Sequence, residues 1–360
     1  MTLRVMIAAG GTGGHFYPGL AVLDALRART DVLPMFVGTP RGIEARVVPP
    51  LGYPITLLDI SPLNGVRGAK LVGALAKLPR AGFAAFRAVR KFRPDVVLSV
   101  GGYAAGPISA AAIASRVPLC VVEPNAIPGM THRLVGRFVS RAFVTFEETS
   151  GHFRKGATRV VGTPVRKSFL ERADRTTTTR ADVPHVFVMG GSQGARAINQ
   201  VVPGAVVEAQ RSGVRFTITH QTGNADRESV VAAYASRGLD AEVLPFIDDI
   251  ATAMARADVL VCRSGMGTVA ELGVIGRPAV FVPLPSAADD HQRKNAEAVA
   301  ARGAGVCLAQ RDLSERSLAD TLVRLLRDRT SLDAMATRAR ELGRPNAADD
   351  VADEILAVAK

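Results

Sequence analysis

A chain of 360 residues, 48% hydrophobic and 22% charged, exceeds the usual length of a single core and has a folded composition, which excludes disorder and favours two domains. Its three cysteines, 120, 262 and 307, are too far apart for a disulfide framework or a Cys-ligated zinc site. Net charge is +12, and residues 1–164 hold the whole surplus, with 20 Lys and Arg against 8 Asp and Glu, while 165–360 carries 25 of each; four tyrosines and no tryptophan offer little for base stacking, so the basic half points to anionic lipid or a phosphorylated substrate and away from nucleic acid.

The first apolar run, five residues after Arg4, is too short for a signal peptide. No uninterrupted apolar stretch reaches the roughly eighteen residues of a membrane span, so a cytoplasmic chain is expected. Short β-branched runs then alternate with Ala- and Leu-rich periodic segments, the pattern of a parallel sheet covered by helices on both faces. Strands are predicted over 3–8, 33–37, 54–58, 95–100, 118–122, 141–145 and 158–162. A second series follows over 184–189, 214–219, 241–245, 258–262, 278–282 and 304–308. The two series begin alike, VMIAAGGTGGH at 5–15 and VFVMGGSQGAR at 186–196. Two similar α/β domains with doubly wound parallel sheets are therefore expected, 1–163 and 164–345, and a final helix over 346–358.

Each series opens on a strand, a glycine turn and a helix. Gly10, Gly11, Thr12, Gly13, Gly14 and His15 lead into a helix expected to start at Pro18. Gly190, Gly191, Ser192, Gln193 and Gly194 repeat the arrangement, with the Ser192 hydroxyl as an added donor. Free N–H groups and the positive end of a helix dipole suit phosphate; one such loop can be a mere packing turn, but two in equivalent places favour anion binding. Neither loop has the third glycine of a nicotinamide fingerprint, and no P-loop motif is present. VCRSGMGTVAELGVIGRP at 261–278 adds a third strand, glycine loop and helix, with Glu271 at the carboxyl edge of the sheet, where a ribose diol finds an acceptor. Asp290, His291, Gln292 and Asn295 cluster at another such edge.

Between Asp59 and Asp95 there is no acidic residue, yet Arg67, Lys70, Lys77, Arg80, Arg87, Arg90, Lys91 and Arg93 all fall there. Leu71, Leu75 and Leu78 share a helical face, and Phe83 and Phe86 follow Pro79. Residues 66–93 thus combine an apolar edge with cations, as an interfacial segment does, although the same apolar residues could pack on the sheet.

At these loops the chain closely resembles the bacterial N-acetylglucosaminyltransferase family that converts lipid I (undecaprenyl-diphosphate-MurNAc-peptide) to lipid II in peptidoglycan synthesis. The resemblance spans nearly the whole chain: GGTGGH at 10–15, GGY at 101–103, E-x-N with a following PG at 123–129, GTPVR at 162–166, GGSQGA at 190–195, HQTG at 220–223, FIDD at 246–249, CRSG with TVAE at 262–271 and HQ-x-x-NA at 291–296. It implies two Rossmann-like domains facing a cleft in the GT-B manner, an inverting transfer from UDP-GlcNAc, no cofactor and no essential metal. It also implies a carboxy-terminal helix that returns to the first domain and a peripheral place on the cytoplasmic face of the plasma membrane. Donor contacts are implied at Thr12, Gly13, Gly14, Asn125, Arg166, Ser192, Ile247, Met266, Gly267, Thr268, Val269, Ala270, Glu271 and Gln292, with Glu271 on the ribose and the Ile247 backbone on the uracil. The family's His-Glu-Gln-Asn reads Val122, Glu123, Pro124, Asn125 here, and a family Asn appears as His132.

Inverting transfer needs a base for the acceptor 4-hydroxyl and a stabiliser for departing UDP. His15, near a positive helix end and so expected to be neutral, is the candidate base; a role as hydrogen-bond partner of the acceptor diphosphate stands equally open. Ser192 and Arg166 suit the diphosphate. A diacylglycerol glycosyltransferase, a nucleotide-sugar 2-epimerase and a non-catalytic bilobed binding protein remain as alternatives.

Overall fold

The computed structural model describes residues 2–61, 68–173, 182–190, 195–287 and 290–359. Every predicted strand falls on an observed one. In chain order the first sheet is made by β1 (Leu3–Ala9), β2 (Val32–Gly38), β3 (Ile55–Leu57), β4 (Val96–Gly101), β5 (Leu119–Glu123), β6 (Arg141–Val144) and β7 (Thr158–Val160). Between them lie α1 (Gly13–Arg27), α2 (Glu44–Val47), α3 (Ala69–Phe92), α4 (Ala105–Ala114) and α5 (Met130–Val135). All its pairings are parallel, in the order β3-β2-β1-β4-β5-β6-β7.

After α6 (Lys167–Ala173) the second sheet comprises β8 (His185–Met189), β9 (Thr217–Gln221), β10 (Glu242–Leu244), β11 (Val259–Cys262), β12 (Ala279–Phe281) and β13 (Gly305–Cys307). Its helices are α7 (Arg196–Arg211), α8 (Arg227–Ala235), α9 (Ile250–Arg256), α10 (Met266–Ile275), α11 (His291–Ala301), α12 (Glu315–Arg327) and α13 (Arg329–Glu341). This sheet is also parallel, ordered β10-β9-β8-β11-β12-β13. Each sheet therefore reverses its winding once, between β1 and β4 and between β8 and β11, and ligands of such sheets bind beyond the carboxyl ends of the strands at that reversal.

The chain divides into two compact units, Met1–Arg166 with Arg344–Lys360, and Lys167–Gly343. In the first, strand alternation sends Val5, Ile7 and Ala9 to one face of β1 and Met6 and Ala8 to the other. The former meet α1 and the last helix, α14 (Ala347–Val358), through Phe16, Leu23, Val351 and Ile355. Ion pairs ring that contact, Arg29 with Asp349 (2.7 Å) and Asp353 (2.6 Å), and Arg141 with Glu354 (2.6 Å). Burying Val351 and Ile355 is worth about 1.5–3 kcal/mol each, against at most about 1 kcal/mol for each partly exposed pair, so apolar packing holds α14 and the pairs orient it.

Two expectations are corrected. α1 begins at Gly13, not Pro18; the proline falls in its second turn, where it is buried against the sheet. In α3, Ala81, Ala85, Val89 and Phe92 are buried at i, i+4 and i+3 steps, and Leu78 and Phe86 pack against the same core. Those two residues therefore belong to the fold and offer no apolar edge to a membrane. The opposite face exposes Arg80, Phe83, Arg87 and Lys91. Residues 66 and 67, and the side chains of Lys70, Leu71 and Leu75, lie outside the described residues.

Candidate functional site

At the reversal in the first sheet, the loop after β1 meets the loop after β4. They approach so closely that a Cβ on Gly102 would lie 2.0 Å from the Gly10 carbonyl oxygen, so only glycine fits there. A fully buried carboxylate organises this junction. Glu44, which opens α2, accepts the N–H of Gly11 (3.1 and 3.2 Å to its two oxygens), the N–H of Thr39 (2.8 Å) and the Thr39 hydroxyl (3.2 Å). The Thr39 hydroxyl in turn lies 3.3 Å from the Tyr103 hydroxyl.

The anion-binding expectation for loop 10–14 is thereby narrowed. The Gly11 amide goes to Glu44 and the Gly10 amide to the Gly101 carbonyl (3.4 Å). The Thr12 carbonyl takes the amides of His15 and Phe16, which leaves those of Gly13 and Gly14 outside the helical ladder at the positive end of α1. His15 Nδ1 sits 3.1 Å from the Thr12 hydroxyl, and its ring fills the space beside Gly101, where a Cβ would lie 2.8 Å from Cδ2. The Arg166 guanidinium stacks 4.1 Å above the ring of Tyr17 on α1, which carries it beside the same helix start.

Asn125 lies in the β5–α5 loop, and another buried carboxylate sets that loop. Glu123, 3% exposed, accepts from the Asn125 backbone and side-chain amides (both 3.1 Å) and from the Gly129 N–H (2.9 Å). Its second oxygen meets His132 Nδ1 at 2.9 Å, and His132 Nε2 meets the Ser99 hydroxyl at 3.0 Å. Burial alone would raise the carboxyl pKa, but His132 and the loop amides outweigh it and hold Glu123 below its ordinary value, as a carboxylate. Val122, by contrast, is fully buried in the sheet.

In the second unit the reversal falls between β8 and β11. Ser192 of the loop after β8 lies outside the described residues. After β11, Arg263 donates to the carbonyls of Val282 (2.9 Å) and Pro283 (3.1 Å), and burial lowers its pKa. Ser264 donates to the Gln292 carbonyl (2.8 Å) and accepts, at its own carbonyl, the side-chain amide of Asn295 (3.1 Å). Gln292 Oε1 accepts the Leu284 N–H (3.0 Å). These bonds bring the start of α11 against the start of α10, whose first six residues are Met266, Gly267, Thr268, Val269, Ala270 and Glu271. Glu271 is half-buried in the second turn. Ile247 stands elsewhere, half-buried in the β10–α9 loop beside the exposed Phe246.

Residues 5–144 match the glycosyltransferase family 28 N-terminal domain, and residues 185–351 match the family's C-terminal domain. The chain belongs to glycosyltransferase family 28. A relative from Anaeromyxobacter dehalogenans (strain 2CP-C), named UDP-N-acetylglucosamine–N-acetylmuramyl-(pentapeptide) pyrophosphoryl-undecaprenol N-acetylglucosamine transferase, is 43% identical over 98% of this chain and 92% of the relative. One of the same name from Geobacter sulfurreducens is 40% identical over 99% and 98%. Among solved structures, Acinetobacter baumannii MurG superposes with a TM-score of 0.79 at 32% identity, covering 99% of each chain. The UDP-GlcNAc 2-epimerase of Neisseria meningitidis, at TM-score 0.72 and 14% identity over 99% and 100%, shares the fold.

Within this family 28 chain, the first unit gathers Thr12, Gly13, Gly14, His15 and Arg166 around one helix start and places Asn125 on a neighbouring loop. The second gathers Met266 to Glu271 with Gln292. Sequence reasoning passed over Glu44, Ser99 and Asn199 and took His132 for a departure alone. His220, part of a quoted motif, is fully buried, its Nδ1 3.1 Å from the Tyr234 hydroxyl and its Nε2 3.1 Å from Asn199 Oδ1. Asn199 also donates to the Thr222 carbonyl (2.9 Å) and to Asp226 (2.8 Å), tying the first turn of α7 to the end of β9.

Burial pushes the His220 pKa down to about 4. An unfolded chain protonates its histidine near pH 6.5, so between those values the unfolded state holds a proton that the folded state lacks. Stability is full above about pH 6.5 and falls by about 1.4 kcal/mol per pH unit toward pH 4. Urea midpoints for the wild type and for His220→Asn at pH 7 and pH 5 are expected to converge at the lower pH. A gap independent of pH would contradict this.

Proposed function

We propose that this chain transfers N-acetylglucosamine from UDP-GlcNAc to the 4-hydroxyl of the MurNAc residue of lipid I, with inversion, giving lipid II for peptidoglycan synthesis. The observation that carries the reading is identity of about 43% along almost the whole chain to relatives named for that transfer. In the sequence a glycine-rich segment follows the first strand of both sheets, and each sheet reverses its winding at that strand. In the reaction a base takes the 4-hydroxyl proton, the oxygen attacks C1 of the sugar from the face opposite UDP, the new C–O bond forms, and UDP leaves as the C1–phosphate bond breaks. His15 serves as the base. The amides at Gly13 and Gly14 suit a phosphate, Arg166 and Ser192 suit the diphosphate of departing UDP, Thr12 and Asn125 are further donor contacts with Asn125 beside the sugar, Glu271 takes the ribose diol and Ile247 the uracil. UDP release from UDP-GlcNAc is expected only when lipid I is added. Release or epimerisation without it would instead favour the epimerase reading.

The second unit, Lys167–Gly343, is the UDP-sugar domain in this reading, and the first is the acceptor domain. Glu271→Ala is expected to raise the donor KM with little change in the KM for lipid I, because a ribose contact contributes to binding before the chemical step. An unchanged donor KM would remove Glu271 from the site.

No described helix is long and apolar enough to cross a membrane, and the reaction's acceptor is a lipid. Attachment is proposed at the cytoplasmic face, through the exposed side of α3, where Phe83 is 70% exposed among Arg80, Arg87, Arg90 and Lys91. At about 1 kcal/mol per base near an anionic surface, these cations give salt-sensitive binding. The protein is expected to sediment with anionic vesicles at low salt and to release at high salt; equal binding to neutral vesicles would contradict the electrostatic reading.

A further inference from the structure

We propose that His132 is a positioning residue for the transfer: held between Ser99 and Glu123 beneath the β5–α5 loop, it fixes the carboxylate that presents Asn125 to the donor sugar. The proposal rests on Asn125 touching that sugar. Ser99 and His132 are 0% and 1% exposed and Glu123 is 3% exposed, so none of the three can meet substrate directly. Their bonds nevertheless run in one line to the loop surface, from the Ser99 hydroxyl to His132 Nε2 (3.0 Å), from Nδ1 to Glu123 Oε2 (2.9 Å), and from Oε1 to both amides of Asn125 (3.1 Å).

With Glu123 ionised, Nδ1 donates to it, and the Ser99 hydroxyl, which can either donate or accept, pairs with Nε2, so both ends of the ring are satisfied. Without the ring, a buried carboxylate oxygen keeps only the Gly129 amide (2.9 Å) and the carboxylate is free to turn. Asn125 turns with it, because its side-chain amide and backbone N–H share the other oxygen. The Thr149 hydroxyl also holds this loop, lying within donating distance of the carbonyls of Asn125 (3.3 Å) and Ala126 (3.1 Å), but it does not reach the Asn125 side chain. His132 also backs Gly101: a Cβ there would come 3.6 Å from His132 Cε1 on one side and 2.8 Å from His15 Cδ2 on the other.

A cycle of Asn125→Ala, His132→Ala and the double variant, assayed for kcat/KM with UDP-GlcNAc, tests the assignment. Each single change is expected to lower kcat/KM by roughly ten- to a hundredfold, the range for a misplaced contact, with the KM for lipid I nearly unchanged. The double variant is expected to be no worse than the poorer single one, because both act through Asn125. His132→Asn, whose amide matches Nδ1 and still donates to Glu123, is expected to recover most activity; His132→Gln, whose amide matches Nε2, is not. These two also carry the test if the alanine variant does not fold. Multiplying single effects, or Gln rescuing as well as Asn, would overturn the positioning role and leave the reading of Asn125 intact. A silent Asn125→Ala would overturn both.

Discussion

His15→Ala is expected to lower kcat by about 10²- to 10⁴-fold, the usual contribution of a general base, while UDP-GlcNAc still binds. The imidazole is carried on the first turn of α1, with one ring nitrogen 3.1 Å from the Thr12 hydroxyl and the opposite edge against Gly101. Two contacts fix its orientation, which is what a base needs if it is to meet an incoming hydroxyl without searching rotamers. A histidine serving only the acceptor diphosphate would behave differently: its loss would raise the KM for lipid I and spare kcat at saturation. Calorimetry with UDP-GlcNAc, run beside steady-state kinetics in both substrates, separates the two. Intact donor binding with a near wild-type kcat would place the base on another residue.

Glu44→Ala is expected to disable the enzyme by a different route, through the fold of the first loop. The carboxylate is fully buried and accepts three hydrogen bonds from Gly11 and Thr39. Removing it leaves two backbone N–H groups and a hydroxyl without their acceptor, at about 1–3 kcal/mol for each buried group. A loss of roughly 3 kcal/mol or more lowers Tm by about 6–12 °C for a unit of this size. The freed loop then no longer holds Gly13, Gly14 and His15, so activity falls even below the transition temperature. Scanning calorimetry with activity assays checks both parts; a variant with wild-type Tm and wild-type kcat would show that Glu44 does not organise the loop.

The two sheets could be read from the sequence because strands of a parallel sheet covered on both faces are continuous apolar runs, and VMIAA or VFVM has few other readings. Displacements occurred where polar residues are buried. β9 was expected over 214–219 but runs Thr217–Gln221, since Thr219, His220 and Gln221 are polar by type yet buried in the sheet, where His220 is satisfied by Tyr234 and Asn199. The glycine loops announced themselves as motifs, but the carboxylates beneath them did not. Glu44 in PRGIEARV has the look of an ordinary acid at a helix start, and what marks it is spatial: a Cβ on Gly38 or Gly42 would lie 2.0 Å from its side chain, so both glycines leave room for it. His132 was likewise one isolated histidine until β4, β5 and α5 placed Ser99 and Glu123 on either side of it. The face of α3 was ambiguous by periodicity, because Phe83 and Phe86 lie on opposite sides of the boundary between core and solvent.

Inverting transfer to lipid I is tested most directly by the structure of the product. Wild-type protein incubated with UDP-GlcNAc and lipid I is expected to yield a lipid heavier by one N-acetylhexosamine, with proton NMR showing a β linkage from C1 of the added sugar to O4 of MurNAc. An α linkage, attachment at another hydroxyl, or recovery of unchanged lipid I beside free N-acetylglucosamine would contradict it.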